Sequence, residues 1–329
     1  MMRRCAIFLL AAIALAQPDR LRVGEIEFYG YAGLDLNAIR AAVPAHEGDE
    51  VSEDQLEGLI NRIKQAVRAT GVEAVCCDNK GGLMIYIGLP GQSARDVVCN
   101  PAPKGTAKLP EAAAQLERRF SDALSQAIAK GATGEDQSKG YALSDDPALR
   151  AKQIAIRDYA THHERPIHRV LASSSDAGQR AIAAHLMGYA HQSRAQITAL
   201  VGASHDPGEE VRNHATRALW VLAASSEERA ARIPADSFIE MLYSRSWTDR
   251  NKASLLLEVL TRRRDPKLLR DLRAQALDPL LEMAHWRSCA HAYAARMMLG
   301  RCAGIEEARL VKFVEANDVA AILAGLHTE

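Results

Sequence analysis

Charge of one sign is not in surplus in this sequence: 41 Lys and Arg stand against 41 Asp and Glu. A protein built to hold phosphates or anionic lipid needs a basic excess, so nucleic acid is not expected as a partner. Aromatic residues make up only 5% of the chain while Ala and Leu abound, a composition that suits close-packed helices better than a β-sandwich. Familiar catalytic spacings are missing. There is no Gly-x-Ser-x-Gly elbow, no Gly-rich loop ending in Lys-Ser/Thr, no His-Glu-x-x-His and no Cys-x-x-Cys, and each of those carries its chemistry through its spacing. No catalytic, cofactor-binding or metal-ligating residue is therefore assigned, and no cofactor is expected.

A long hydrophobic run is missing as well. The apolar stretch from Cys5 to Ala16 follows Arg3-Arg4 and stops at Gln17-Pro18-Asp19. It is roughly half the ~20 residues a membrane-spanning helix requires. With the small residues Ala14 and Ala16 it reads as a secretory signal peptide cleaved after Ala16. The expectation is an exported protein, periplasmic or secreted, with residues 1–16 removed and no membrane span afterwards. Of six cysteines, five follow that segment: Cys76, Cys77, Cys99, Cys289 and Cys302. An oxidising compartment favours pairing. Cys76 and Cys77, placed on a strand, would point to opposite faces, and a bond from Cys99 to one of them is expected; adjacent cysteines are poor metal ligands.

The remaining chain divides into a module at 17–91, a linker at 92–146 and a helical region at 147–329. Arg22 to Tyr29 alternates, with Gly24, Ile26 and Phe28 on one side and Glu25 and Glu27 on the other, as in a half-buried strand. Asp35 can cap a short helix carrying Leu36 and Ile39, ended by Pro44. Ser52 and Gln55 form a capping box ahead of the stripe Leu56, Leu59, Ile60, Ile63 and Val67. Gly71 closes that helix, Val72–Cys77 reads as a second strand, and Asp78–Gly82 turns the chain into a third alternating strand from Leu83 to Leu89. The fold class is thus an α+β amino-terminal β-α-α-β-β domain followed by an all-α repeat array, mostly helical overall.

Residues 22–89 resemble a polypeptide-transport-associated (POTRA) domain through Val23, Ile26, Phe28 and Gly30, through Gly48, through the stripe Leu56–Val67, and through Leu83-Met84-Ile85-Tyr86-Ile87. The resemblance implies a binding role, with a partner strand added to an open sheet edge. No second such domain and no barrel pattern follows in this chain, so insertion of barrels is not implied.

In the linker, a helix is expected from Pro110 to Lys130, docked on the repeats, and Gly131–Asp146 is expected to be an exposed, mobile loop. Beyond it, Arg-x-x-Ala recurs at Arg180, Arg212, Arg250 and Arg287, spaced by 32, 38 and 37 residues, a period that suits helix pairs. Asp206 in a turn, followed by Val211, Arg212 and Ala215, resembles a HEAT repeat. That likeness implies a small residue where helices approach and an arginine that reaches the turn aspartate of a neighbouring repeat. Stacked repeats leave a concave surface that binds proteins. The functional expectation is a non-catalytic interaction scaffold with a protein partner; the alternative is a HEAT-like lyase or hydrolase. The densest polar cluster, His162-His163-Glu164-Arg165-Pro166-Ile167-His168, is taken as a polar turn, because Pro166 should break the helix that would bring Glu164 and His168 together. His185, His214 and His291 fall at unrelated offsets and are expected at the surface or between helices. Trp220, Trp247 and Trp286 are expected in packing roles.

Overall fold

The computed structural model describes residues 20–132 and 134–327; the signal-peptide segment lies outside them. In chain order the elements are β1 (Leu21–Tyr29), α1 (Leu36–Ala42), β2 (Glu50–Val51), α2 (Glu53–Val67), β3 (Gly71–Val75), β4 (Leu83–Gly88) and α3 (Glu111–Ala129). A hairpin of β5 (Glu135–Asp136) and β6 (Leu143–Ser144) follows. Then come α4 (Pro147–His162), α5 (Glu164–Ser173), α6 (Ala177–Met187), α7 (Arg194–Ala203), α8 (Glu209–Ser225), α9 (Glu227–Ala230), α10 (Asp236–Met241), α11 (Trp247–Thr261), α12 (Pro266–Gln275), α13 (Leu277–Ala284), α14 (Cys289–Cys302), α15 (Glu307–Glu315) and α16 (Val319–Ala324).

These elements form two compact units. Of the described residues, one unit comprises Val98–Pro234; the other joins residues 20–97 to residues 235–327. The boundaries drawn at 91/92 and 146/147 are not boundaries of the units, and the helical region after 147 is divided between both at 234/235.

In the unit that holds the sheet, the strand order is β2-β1-β4-β3, with β1 parallel to β4 and the other pairs antiparallel. Ile26, Phe28, Val72, Ile85 and Ile87 face Leu59 and Ile63 of α2 in one apolar core. Asp35 caps α1 through Asn37 and Ala38, and Gln55 accepts from the Ser52 N–H at the start of α2. The helix ends earlier than expected, with Arg68 rather than Gly71 in the left-handed conformation.

The sheet is covered on its second face too, which corrects the half-buried strand. Glu27 is 6% exposed and every residue of β4 is buried. Tyr86 stacks on Trp247 of α11 with centroids 4.7 Å apart, meets Trp286 edge-on, and shares a 2.5 Å hydrogen bond between its hydroxyl and Nδ1 of His291 on α14. Glu73 receives the Trp247 and Thr248 N–H groups at the start of α11. All fifteen residues of α11 are buried.

One carboxylate ties this unit together. Glu282 of α13 accepts from the Gly30, Tyr31 and Ala32 N–H groups at 2.6, 2.8 and 3.0 Å, from the Ser93 hydroxyl at 2.5 Å and from Arg250 at 3.3 Å. Successive backbone N–H groups make an anion-binding concavity, and Gly30, at φ +73°, shapes it where a Cβ would lie 2.5 Å from the Leu89 carbonyl.

The edge of β1 beyond β2 is closed. The Tyr29 carbonyl accepts from Leu89 N–H on the β4 side, so the alternate carbonyls point the other way. Of these, Phe28 accepts from the Trp286 indole at 3.0 Å and Ile26 from Arg287 at 3.2 Å. Arg287 lies before α14 and engages Glu27 and Glu47, so it serves the sheet and not the repeat stack.

The cysteines pair differently from the expectation. β3 ends at Val75, so strand alternation does not separate the pair, and the disulfide joins Cys76 to Cys77. Cys99 keeps an exposed thiol in the other unit, with Arg212 donating to it at 3.9 Å.

Replacing Glu282 by Ala strands the Arg250 guanidinium and three backbone N–H groups, and should cost about 3 kcal/mol, read as a lowered urea midpoint of tryptophan fluorescence. Burial, with Lys252 adding repulsion, pushes the His291 imidazole down to about 3. The unfolded chain therefore binds a proton below about pH 6.5 that the folded chain refuses. Stability should fall by about 2 kcal/mol between about pH 7 and about pH 5, and the His291→Gln variant should be weaker at neutral pH yet flatter across that window.

Candidate functional site

In the unit from Val98 to Pro234, α5 packs on α6, α7 on α8, α6 on α8, and α5 lies beside α7. Two helix pairs therefore stack, with α5 and α7 in one layer and α6 and α8 in the other. Pro166 stands in the first turn of α5, where its missing N–H has no helical partner to lose. It starts a helix instead of breaking one, and Glu164 and His168 sit one turn apart on that helix. Glu164 accepts from the backbone N–H of His191 at 2.5 Å and from its ring at 2.7 Å. His162 and His163 hydrogen-bond to the carbonyls one turn earlier, Asp158 and Tyr159, at 2.8 Å each. Among the described residues no three His, Cys, Asp or Glu side chains form a group able to hold a metal.

The joint between the pairs is ionic and buried. Arg180 of α6, 2% exposed, donates through Nε and Nη2 to both carboxylate oxygens of Asp206 at 2.7 and 2.8 Å, and through Nη1 to the Ser174 carbonyl. The forked pair crosses from one helix pair to the turn of the next. Arg212 instead donates to the Asp206 and Pro207 carbonyls of its own turn at 2.9 and 3.2 Å. Val211 and Ala215 are fully buried on α8. In the other unit Arg250 of α11 reaches Glu282 across the same kind of step.

Helix α3 lies on α4 and α6. Its Phe120 packs on His185, its Glu117 accepts from His185 at 2.7 Å, and His185 stacks on His214 with centroids 4.9 Å apart. Burial raises the Glu117 carboxyl, but His185 and His214 outweigh it and hold the group below its ordinary range. Of the two places expected for these histidines, the surface or between helices, both take the second, His185 from α6 and His214 from α8. Residues 134–146, part of the stretch expected as an exposed loop, instead carry the β5–β6 hairpin, tied by the Arg217–Glu135 ion pair at 2.5 Å and by the Tyr189 hydroxyl donating to the Ala142 carbonyl at 3.1 Å.

An open feature of this unit is a furrow between α5 and α7, holding a groove of about 290 Å³ lined by Leu171, Ala172, Ala199, Ala203, Pro101 and Pro103, with His168, Thr198 and Asp206 at its polar side. The segment after Val98 crosses the helix ends beside it in extended form. Asn100 donates its backbone N–H to the His205 carbonyl at 2.7 Å and its side-chain amide to the Gly202 carbonyl at 3.2 Å. Gly105 exchanges backbone bonds with Ser173 and Ser175, and Leu109 N–H donates to Gln179. A stack of helix pairs thus already holds an extended chain by its main-chain groups.

A scan against protein-family models and a search of curated proteins each find no match. Among solved structures the chain is similar to a designed armadillo repeat protein in complex with the peptide (KR)4, at 16% identity and a TM-score of 0.39, covering 56% of this chain and 87% of that one. It is similar also to a computationally designed armadillo repeat protein for modular peptide recognition, at 16% identity and a TM-score of 0.38, covering 56% and 88%. At this distance nothing about binding is carried over.

Arg180→Ala and Asp206→Ala should each cost about 3 kcal/mol in unfolding measurements, because each leaves a buried charge without its partner. The double variant should cost clearly less than the two together; additive costs would show that the fork does not join the helix pairs energetically.

Proposed function

We propose that this chain is a non-catalytic scaffold that holds a partner protein on its stacked helix pairs. The observation that carries the proposal is the furrow between α5 and α7, where the unit's helix ends already bind one extended segment through backbone groups and a neighbouring apolar groove stays open. Capture of a strand by the sheet, which the POTRA resemblance implies, is left to the edge strands β2 and β3, since Trp286 and Arg287 take outer carbonyls of β1. A grip through the second helices is limited, because in each unit an earlier part of the chain lies against them: α3 on α6, and the sheet on α11 and α14. In the 162–168 cluster, His162 and His163 are each bonded to a carbonyl of their own helix, while His168 borders the groove. Export to the periplasm or medium rests on the apolar run Cys5–Ala16 alone.

A photocrosslinking residue placed at Thr198 in living cells should yield adducts heavier than the chain by the mass of another protein. The same residue at Lys312, exposed on α15, serves as a second station. Adducts at Lys312 alone would move the binding surface, whereas adducts at neither station, with the protein abundant and folded, would remove the scaffold proposal.

A further inference from the structure

The furrow has a chemical sign as well as a shape. We infer that it receives an extended acidic segment of a partner protein, with an apolar side chain seated in the groove and a carboxylate held between Arg165 and Arg194. This deepens the scaffold reading and depends on it.

On α5, Arg165, His168 and Ala172 follow one another at steps of three and four, and on α7 Arg194, Thr198 and Gly202 at two steps of four; residues so spaced share one face of a helix. The groove-lining faces of both helices therefore begin with an exposed arginine. The floor is small, with Ala172, Ala199, Gly202 and Ala203, which is what leaves room between two packed helices for another side chain.

The acids near the furrow have other partners while its bases do not. Asp206 is held by the Arg180 fork and Glu164 by His191. Among the described residues, Arg165, Arg194 and Lys104, the last on the extended segment bordering the groove, take part in no ion pair. The charge left over along the furrow is positive, so a negatively charged occupant is complementary.

Its spacing follows from helix geometry. Arg165 and Ala172 are separated by seven residues at ~1.5 Å of rise, or about 10 Å. An extended chain covers that in about three residues at ~3.3 Å each. The carboxylate and the apolar side chain should stand two or three positions apart. A groove of about 290 Å³ lies at the small end of ligand sites, ~300–1,000 Å³, which suits a side chain of an extended segment and not a folded domain.

The test uses the full chain and three capped, fluorescein-labelled peptides, each four repeats long: Asp-Ser-Leu, Ser-Ser-Leu and Lys-Ser-Leu. Fluorescence anisotropy should show the aspartate peptide binding about tenfold or more tightly than the neutral one, with the lysine peptide weakest. Arg165→Glu with Arg194→Glu should erase that preference. Ala199→Phe, which fills the groove, should weaken the aspartate peptide about tenfold while circular dichroism stays unchanged. Raising salt from about 0.05 M to about 0.5 M should reduce the preference.

Equal binding of the three peptides overturns the inference, as does no binding of any at ~1 mM. Binding untouched by either the charge reversal or Ala199→Phe overturns it too, by placing the peptide elsewhere. A dimer in gel filtration that the Arg194→Glu change dissolves would assign the furrow to a second copy and equally sink the acidic-segment assignment. Should the peptides fail while Thr198 still crosslinks to another protein, this inference falls and the scaffold reading stands.

Discussion

A pair of stacked helices buries the face where its members meet, and its second helix then presents another apolar face that water does not tolerate. Both units of this protein solve that problem with chain from before the repeats. In one, α3 lays Phe120 and Glu117 on α6. In the other, the second face of the sheet lays Tyr86 on Trp247, Trp286 and His291. The complete burial of α11 follows from being covered on both sides, and so do polar residues such as Lys252 and His291 deep in the unit. Desolvation of such groups is costly unless they find partners, which the Tyr86–His291 bond and the Glu282 nest supply.

The covering elements also redirect function. A helical array whose second layer is open offers a continuous curved surface; here that layer has been used to bury earlier chain. The first layer, α5 and α7, and the helix ends crossed by the extended segment are among the faces left accessible in the unit from Val98 to Pro234. Arg180 and Asp206 shape this surface, and Asp206 itself lines the groove. Their fork fixes the turn of one helix pair on the second helix of the previous one, so the spacing between α5 and α7, and with it the width of the furrow, is set by a bidentate contact of directional geometry.

Much of the local structure was legible from residue order. The capping pair Ser52 and Gln55, the Asp35 cap and the alternation of Leu83–Leu89 identify their elements because each depends on neighbours within a few positions. Tertiary contacts decided where such local rules were misleading. Pro166 reads as a break but opens α5, since proline suits a first helical turn as well as the end of a helix. Residues 134–146 lack apolar periodicity, yet their hairpin is held by Arg217 and Tyr189. Cys76 and Cys77 lie just past the strand whose alternation was meant to part them. His185 and His214, at unrelated offsets from the repeat arginines, meet because they sit on adjacent helices.

Helical periodicity, capping residues and the recurrence of Arg-x-x-Ala were enough to establish a small α+β segment and a run of paired helices, because those signals act over single turns and strands. Where the units divide, which faces are covered and where an opening remains depended on contacts between residues as far apart as Gly30 and Glu282 or Tyr86 and His291. Such contacts leave no period in the sequence, since the partner of each residue is chosen by the packing of whole elements and not by distance along the chain.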